Sequence, residues 1–332
     1  MMPIAWIVGQ GGLLGGSLAR ACEESGVALW KSPAFPWNER AALQRACTNA
    51  VRAFAGQIQK GQPWIVLWAA GIGTVGSAES ALAEETHAWE MLLQIASEYL
   101  LPAHPCGTLF FSSSAGAIYS GVGSALITED TPPHPLSAYG RTKIAQEKLL
   151  TSWAEQHPSI SCVTGRISNL YGERQNLAKH QGVISHCSGR ILRRAPIHVY
   201  VPLDTIRDYV YSEDCARAIL ALLLATQRAS HPRRILKIFA SERTTTLAEI
   251  LGIFTRIAKT PPHIVCGRAE NAKEHPRCVR FHSTVAKELL PLLRRTSLLE
   301  GIHRLHEHQR RLFEQGALHP VPLRGSALQR SV

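Results

Sequence analysis

The stretch Ile4-Ala5-Trp6-Ile7-Val8-Gly9-Gln10-Gly11-Gly12-Leu13-Leu14-Gly15-Gly16 decides how the rest of the chain is read. Its unbroken apolar run suits a strand covered on both faces, the kind found in parallel sheets. The glycines then let the backbone turn sharply, and Ser17 to Glu24 has a helical pattern. In such a strand-loop-helix unit, backbone lacking Cβ atoms can come close to an anion while the first helical amides point at it. Gly9, Gly11, Gly12, Leu13, Leu14 and Gly15 are therefore the candidate cradle for a dinucleotide pyrophosphate.

Outward from this unit, Val27–Trp30, Trp64–Trp68 and Thr108–Phe111 read as further strands alternating with longer helical patterns, which predicts strand-helix-strand units. Ser161–Thr164 reads as another strand, and Tyr209-Val210-Tyr211 precedes an apolar helix from Cys215 to Thr226 that returns the chain to the sheet. The expected fold class is α/β, a Rossmann-type doubly wound parallel sheet with a smaller C-terminal α/β lobe. Residues 1–168 and 207–240 are assigned to the dinucleotide-binding part, 169–206 and 241–316 to a substrate-binding lobe, and the Pro-, Gly- and Ser-containing 317–332 to a flexible tail.

A chain of 332 residues, 45% apolar and 18% charged, has the composition of a globular enzyme and not of a disordered or fibrous chain. No apolar run approaches the roughly 20 residues that span a bilayer, and Met1-Met2-Pro3 lacks a basic leader, so a cytoplasmic protein with no membrane association is expected. The eight cysteines form no CxxC pair and read as buried free thiols in a reducing compartment. The net charge of +11 comes from scattered basic residues, and Arg294-Arg295 to Arg310-Arg311 reads as helix surface. An anionic small substrate accounts for the excess better than nucleic acid does. His303, His306 and His308 share one helical run without suitably placed Cys or carboxylate partners, so no metal is expected.

The chemistry is carried by two further segments. Phe111-Ser112-Ser113-Ser114-Ala115-Gly116 ends a strand, and Tyr139-Gly140-Arg141-Thr142-Lys143 follows 25 positions after Ser114. Tyr139 and Lys143 are four apart, so a helix starting near Ser137 sets them on one face with the ammonium beside the phenol. A phenol titrates near about 10, and the neighbouring cation is expected to lower that value so that Tyr139 can exchange a proton with a substrate hydroxyl. Ser114 would hold the same substrate oxygen.

With these residues in place, the sequence resembles the extended short-chain dehydrogenase/reductases, particularly the NAD-dependent epimerase/dehydratase family of nucleotide-sugar enzymes typified by UDP-galactose 4-epimerase. The likeness runs from about residue 3 to 312 through Ala69-Ala70-Gly71, Gly165-Arg166-Ile167-Ser168-Asn169-Leu170-Tyr171-Gly172, Arg207-Asp208-Tyr209-Val210-Tyr211-Ser212-Glu213-Asp214, and the helix starts at Thr244–Thr246 and Thr296-Ser297. The resemblance implies Ser114, Tyr139 and Lys143 as the catalytic triad. It implies NAD or NADP held also by Ala69, Ala70, Gly71, Tyr139, Lys143 and Ile167. It places Ser114, Gly116, Asn169 and Arg207 at a nucleotide-linked sugar, with a homodimer paired through the helix bearing Tyr139. A guanidinium at 207 suits a diphosphate, the alternative being a partner for Asp208 or Glu213.

The chain departs from that pattern in places. The second strand ends Leu29-Trp30-Lys31-Ser32 with no carboxylate for ribose hydroxyls, and Lys31 favours the 2′-phosphate of NADP over NAD. His275-Pro276-Arg277-Cys278 has His where an Arg is usual, and Ala34-Phe35-Pro36-Trp37-Asn38 replaces the usual adenine-reading strand. Ser114-Ala115-Gly116 lacks the acid and base that water elimination requires, leaving hydride transfer as an epimerase or ketoreductase. The alternatives are an NADP-dependent reductase of a non-sugar carbonyl or alcohol, and a non-catalytic dinucleotide sensor, which has no need of the three residues together.

Overall fold

A computed structural model describes residues 1–123, 126–179, 181–258, 261–267 and 276–318. His275 and residues 319–332 of the expected tail lie outside the described residues. The first half alternates β1 (Ile4–Val8), α1 (Leu13–Glu24), β2 (Ala28–Trp30), α2 (Arg40–Gln57), β3 (Trp64–Trp68), α3 (Glu79–Tyr99) and β4 (Gly107–Ser114). It continues through α4 (Ala115–Ile118), β5 (Leu126–Ile127), α5 (Ala138–Gln156), β6 (Ser161–Ile167) and β7 (Asn169–Tyr171). The rest comprises α6 (Val183–Leu192), β8 (Ile197–Val199), β9 (Ile206–Tyr211), α7 (Ser212–Gln227), β10 (Arg234–Phe239), β11 (Thr244–Thr246), α8 (Leu247–Ala258), β12 (Ile264–Cys266), β13 (Arg280–Phe281), α9 (Leu290–Leu293) and α10 (Leu298–Glu314).

Six parallel strands in the order β10-β6-β4-β3-β1-β2 make the central sheet, a Rossmann-type arrangement. The apolar strands divide their side chains between its faces, as the two-residue period of a strand requires. Trp6, Val8, Trp64, Val66 and Trp68 join α2, α3 and α5 in one core, whereas Ala5, Ile7, Ile65 and Leu67 join α1 and α7 in the other. Chain order reverses between β1 and β3, the switch point at which open α/β sheets take ligands. Among the described residues no strand lies beyond β2 at that edge; Phe35 and Trp37 instead pack edge-on, and Trp37 meets Trp68 in the same way.

Two differences from the sequence reading concern strands. Strand β4 runs on to Ser114 because Ser112, Ser113 and Ser114 continue its pairing with Gly165, Arg166 and Ile167. Tyr209–Tyr211, within the 207–240 stretch assigned to the dinucleotide-binding part, belongs instead to β9 of a separate three-stranded sheet, between β7 and β11, while α7 returns the chain to the main sheet through β10 as expected. A third core, with α6, α8 and α10 around Phe254 and Ile302, lies beyond that small sheet. Two of its helices, α8 and α10, start where hydroxyl side chains accept orphan amides: Thr246 from Glu249, and Ser297 from Glu300.

The cysteine expectation holds for Cys22, Cys47, Cys162, Cys187 and Cys215, which are buried, and is corrected for Cys106 and Cys266, which are exposed, and Cys278, which is half-buried. Short apolar context predicts burial poorly at strand ends, where these three lie. Burial pushes the Cys22 and Cys47 thiols up to about 12, far from reactive thiolates. Among the described residues no helix is long and apolar enough to cross a membrane.

Candidate active site

The loop from β1 to α1 is shaped for close approach. Gly9 takes a positive φ of 92°, and a Cβ there would lie 2.5 Å from the Ala70 nitrogen; a Cβ on Gly15 would lie 2.1 Å from the Gly9 carbonyl oxygen. Only glycines let β1, the Ala69-Ala70-Gly71 turn and α1 meet this tightly. The N-cap of α1 is Gly12, which offers no side-chain acceptor, so the first amides beyond it are left for an external anion. These features fit a dinucleotide pyrophosphate: an uncapped helix start, at the switch point, with no Cβ in the way. Lys31 is exposed at the carboxyl end of β2, next to β1.

Ser114, Tyr139 and Lys143 come together from β4 and α5. Ser137 caps α5 by accepting from the Gly140 amide at 3.1 Å, which fixes the helix start two residues before Tyr139. Ser114 ends its strand as the N-cap of α4, its Oγ accepting from the Ala117 amide at 3.3 Å, and its hydroxyl acts on the Tyr139 phenol in the sense that favours the phenolate. Lys143 is 4% exposed, one turn below, with Nζ 5.6 Å from the centre of the Tyr139 ring.

The electrostatics differ from the sequence expectation. Burial raises the Tyr139 phenol above its ordinary value; Lys143 and Ser114 oppose this and Glu85 adds to it, so the cation does not win. Burial works against the Lys143 charge, yet Glu85 overcomes it and holds the ammonium above its usual range. The reason is a carboxylate that sequence reasoning missed: Glu85 Oε1 accepts from Lys143 Nζ at 2.9 Å, and Gln146 Oε1 accepts from the same ammonium at 3.0 Å. A signal was present in the sequence. Leu82, Glu85, Ala88, Trp89 and Leu92 form the buried stripe of α3, and a carboxylate on such a stripe needs a cation. Lys179, also missed, donates from the segment after β7 to the Gly71 carbonyl at 3.0 Å, and nothing in its loop sequence marks it.

The expected substrate residues lie on the adjoining strands. Asn169 Nδ2 donates to the Asp208 carbonyl at 2.9 Å, and its Oδ1 faces Gly116, 3.9 Å from where a Cβ would stand. Arg207 is buried, and its one Nη1 bond goes to the Ile206 carbonyl at 2.8 Å. Neither acid weighed as its partner takes it. Asp208 accepts from Ser168 at 2.6 Å and from Ser241, while Glu213 pairs with Arg20 at 2.7 Å. No carboxylate pairs with Arg207 among the described residues, and burial lowers its pKa, so its guanidinium retains unused donors. Ile167 packs its side chain into the core beside the end of β4. His306 of the histidine run bonds Ser188 at 3.0 Å and meets the Phe254 ring edge-on.

Known proteins carry the same frame. The chain is 33% identical over 118 residues to dTDP-4-dehydro-6-deoxyglucose reductase of Escherichia coli, a match spanning 36% of this chain and 37% of that protein. UDP-glucose 4-epimerase of Thermotoga maritima, solved with UDP-glucose, superposes with a TM-score of 0.75 at 22% identity, covering 93% of this chain and 99% of that one. RMD from Pseudomonas aeruginosa, solved with NADPH, superposes with a TM-score of 0.73 at 20% identity, covering 93% and 99%. At these identities the superpositions establish the fold. The model of the NAD dependent epimerase/dehydratase family matches residues 5–237, from the first residues of β1 through the glycine loop, Tyr139 and Lys143 to β10, and the chain is an enzyme belonging to that family.

Proposed function

We propose that this enzyme is an NAD(P)-dependent epimerase or ketoreductase of a nucleotide-linked sugar, in which Tyr139 moves a proton on and off the substrate hydroxyl while Ser114 holds the same oxygen. The observation that carries this is the meeting of Ser114, Tyr139 and Lys143 at the carboxyl edge of the sheet, beside a glycine loop that Cβ atoms would close. A bound nicotinamide would supply the hydride acceptor or donor. Lys143 has three N–H donors, of which Glu85 and Gln146 take two, leaving one for a ribose hydroxyl. Because the free phenol lies above its ordinary value, Tyr139 starts as the acid, and loss of its proton is favoured when a positive nicotinamide adds to the field of Lys143.

The buried, unpaired Arg207 supports a substrate diphosphate, for which a guanidinium has matching donors. Exposed Lys31 supports NADP, and a homodimer through α3 and α5 accords with Glu90 exposed on one helix and Arg141 and Lys148 on the other. Calorimetric titration with NAD(H) and NADP(H), followed by UDP-, dTDP- and GDP-sugars, is the test. The expected result is tight dinucleotide binding, and with it turnover that Tyr139→Phe reduces by at least about 100-fold without weakening the dinucleotide. No dinucleotide binding, or full activity in Tyr139→Phe, overturns the assignment.

A further inference from the structure

Glu85 is 7% exposed and plays no part in the proton transfer just described, yet it touches everything around it. Its Oε1 accepts from Lys143 at 2.9 Å and from Gln146 Nε2 at 3.4 Å, both on α5. Its Oε2 accepts from the backbone amides of Ile72 at 3.0 Å and Gly73 at 2.9 Å, in the loop after β3. That loop abuts the reacting phenol: a Cβ on Gly73 would lie 3.1 Å from Cδ2 of Tyr139. One carboxylate thus ties α3, the cofactor-side loop and the lysine together.

We propose that Glu85 is a positioning residue that clamps Lys143 to the 72–73 loop and offsets the ammonium's charge at Tyr139. The proposal rests on reading Tyr139 and Lys143 as the proton-transfer pair. An ammonium alone beside a phenol favours the phenolate, whereas an ammonium with a carboxylate at 2.9 Å presents a dipole whose field at the phenol is much weaker. The site therefore holds its proton until a ligand changes the balance. The charged groups around the pair are few. From α5, Lys143 bears on Tyr139 directly, and Glu147 bears on Lys143; from α3 comes Glu85; from the segment after β7, Lys179 bears on Glu85 and Lys143. Glu147 is itself held by Arg166 of β6, and Lys179 by the Gly71 carbonyl, so Glu85 is the anion that decides what Tyr139 senses.

The experiment is an ultraviolet tyrosinate titration by rapid pH jump, each protein being read against its own Tyr139→Phe counterpart so that the difference reports Tyr139 alone. Glu85→Gln should bring the Tyr139 midpoint down by at least about one pH unit relative to the unsubstituted protein, and Glu85→Asp, which restores the charge, should return most of that shift. An unmoved midpoint in Glu85→Gln, or equal midpoints in Glu85→Gln and Glu85→Asp, overturns the proposal, because a merely structural carboxylate would leave the titration alone or depend on shape. Should Glu85→Gln fail to fold, the neutral pair Glu85→Gln/Lys143→Met is compared with Lys143→Met. A lower Tyr139 midpoint in the double variant supports Glu85 as the anion that Tyr139 senses, and equal midpoints overturn the proposal. Neither sugar nor dinucleotide enters this titration, so its failure leaves the proposed activity standing, and a failure of dinucleotide binding leaves the titration readable.

Discussion

Two buried ion pairs sit one turn apart on α5, and they are built differently. Glu147 is saturated: Arg166 Nε bonds both carboxylate oxygens at 2.9 and 3.2 Å, Arg166 Nη2 adds a bond at 2.6 Å, Ser113 donates at 2.6 Å, and Tyr119 takes the remaining side of the guanidinium. Lys143 and Glu85 share a single contact, and the carboxylate spends its other oxygen on loop amides while the ammonium keeps a donor in hand. A pair whose valences are all consumed can only brace; a pair with one left over can also bind. The bracing pair fastens β4, the end of α4 and β6 to α5 beside Ser114 and Tyr139, whereas the other pair keeps a donor for the proposed ligand.

The sharpest test of that contrast is stability. Glu147→Ala leaves the Arg166 guanidinium buried without its carboxylate, which should cost about 3–5 kcal/mol in denaturant unfolding. Lys143→Met should cost less, about 1–3 kcal/mol, because Glu85 retains two backbone amides and Gln146 as donors. Dinucleotide affinity should respond in the opposite order, weakened by Lys143→Met and little changed in whatever folded Glu147→Ala is recovered. Equal losses of stability and of affinity in the two variants would erase the distinction between brace and binder.

The pH dependence sharpens it further. Glu85 is held below the ordinary carboxylate range: burial opposes this, and Lys143 with the Gly73 amide and Gln146 outweighs it. Its stabilisation is therefore present above the unfolded value near about 4.3 and lost as pH falls through the lower folded value. Lys143 is held above its ordinary range, so its share is present below the unfolded value near about 10.4 and lost as pH rises through the higher folded value. The pair as a whole stabilises a window from weakly acidic to moderately alkaline pH. Thermal midpoints of the Glu85→Gln/Lys143→Met protein should vary less with pH at both ends than those of the unsubstituted protein. A double variant that tracks the parent at both ends would show that this pair is not what the pH senses.

The same contrast explains what the sequence disclosed. Strand β1 and its loop were legible because one physical demand, a close approach of β1, the 69–71 turn and α1 to one another, admits glycine at 9 and 15 and little else. Tyr139 and Lys143 were legible because helical spacing alone puts them on one face. The direction of the phenol's shift was not, because it depends on Glu85, which is 54 positions before Tyr139 and meets it through packing between α3 and α5. Helical stripe analysis of α3 would have found a buried acid there, but not its partner. The small sheet of β7, β9 and β11 was hidden for a different reason: strands of 3 and 6 residues carry too little periodicity to tell which sheet they join.

Exposed charge should behave unlike either pair, and Lys31 is the measure of it. It stands in solvent at the end of β2, where a 2′-phosphate contact would be screened and would hold a long side chain at an entropic cost. Lys31→Ala should therefore weaken NADPH by only a few-fold, about 0.2–1 kcal/mol, and the effect should shrink as salt is raised, with NADH affinity unchanged. Calorimetry at two ionic strengths reads this directly. An equal loss for both dinucleotides would make Lys31 part of the general phosphate field, and no loss for NADPH would remove it from cofactor choice, leaving selection to the aromatic edge formed by Trp30, Phe35 and Trp37.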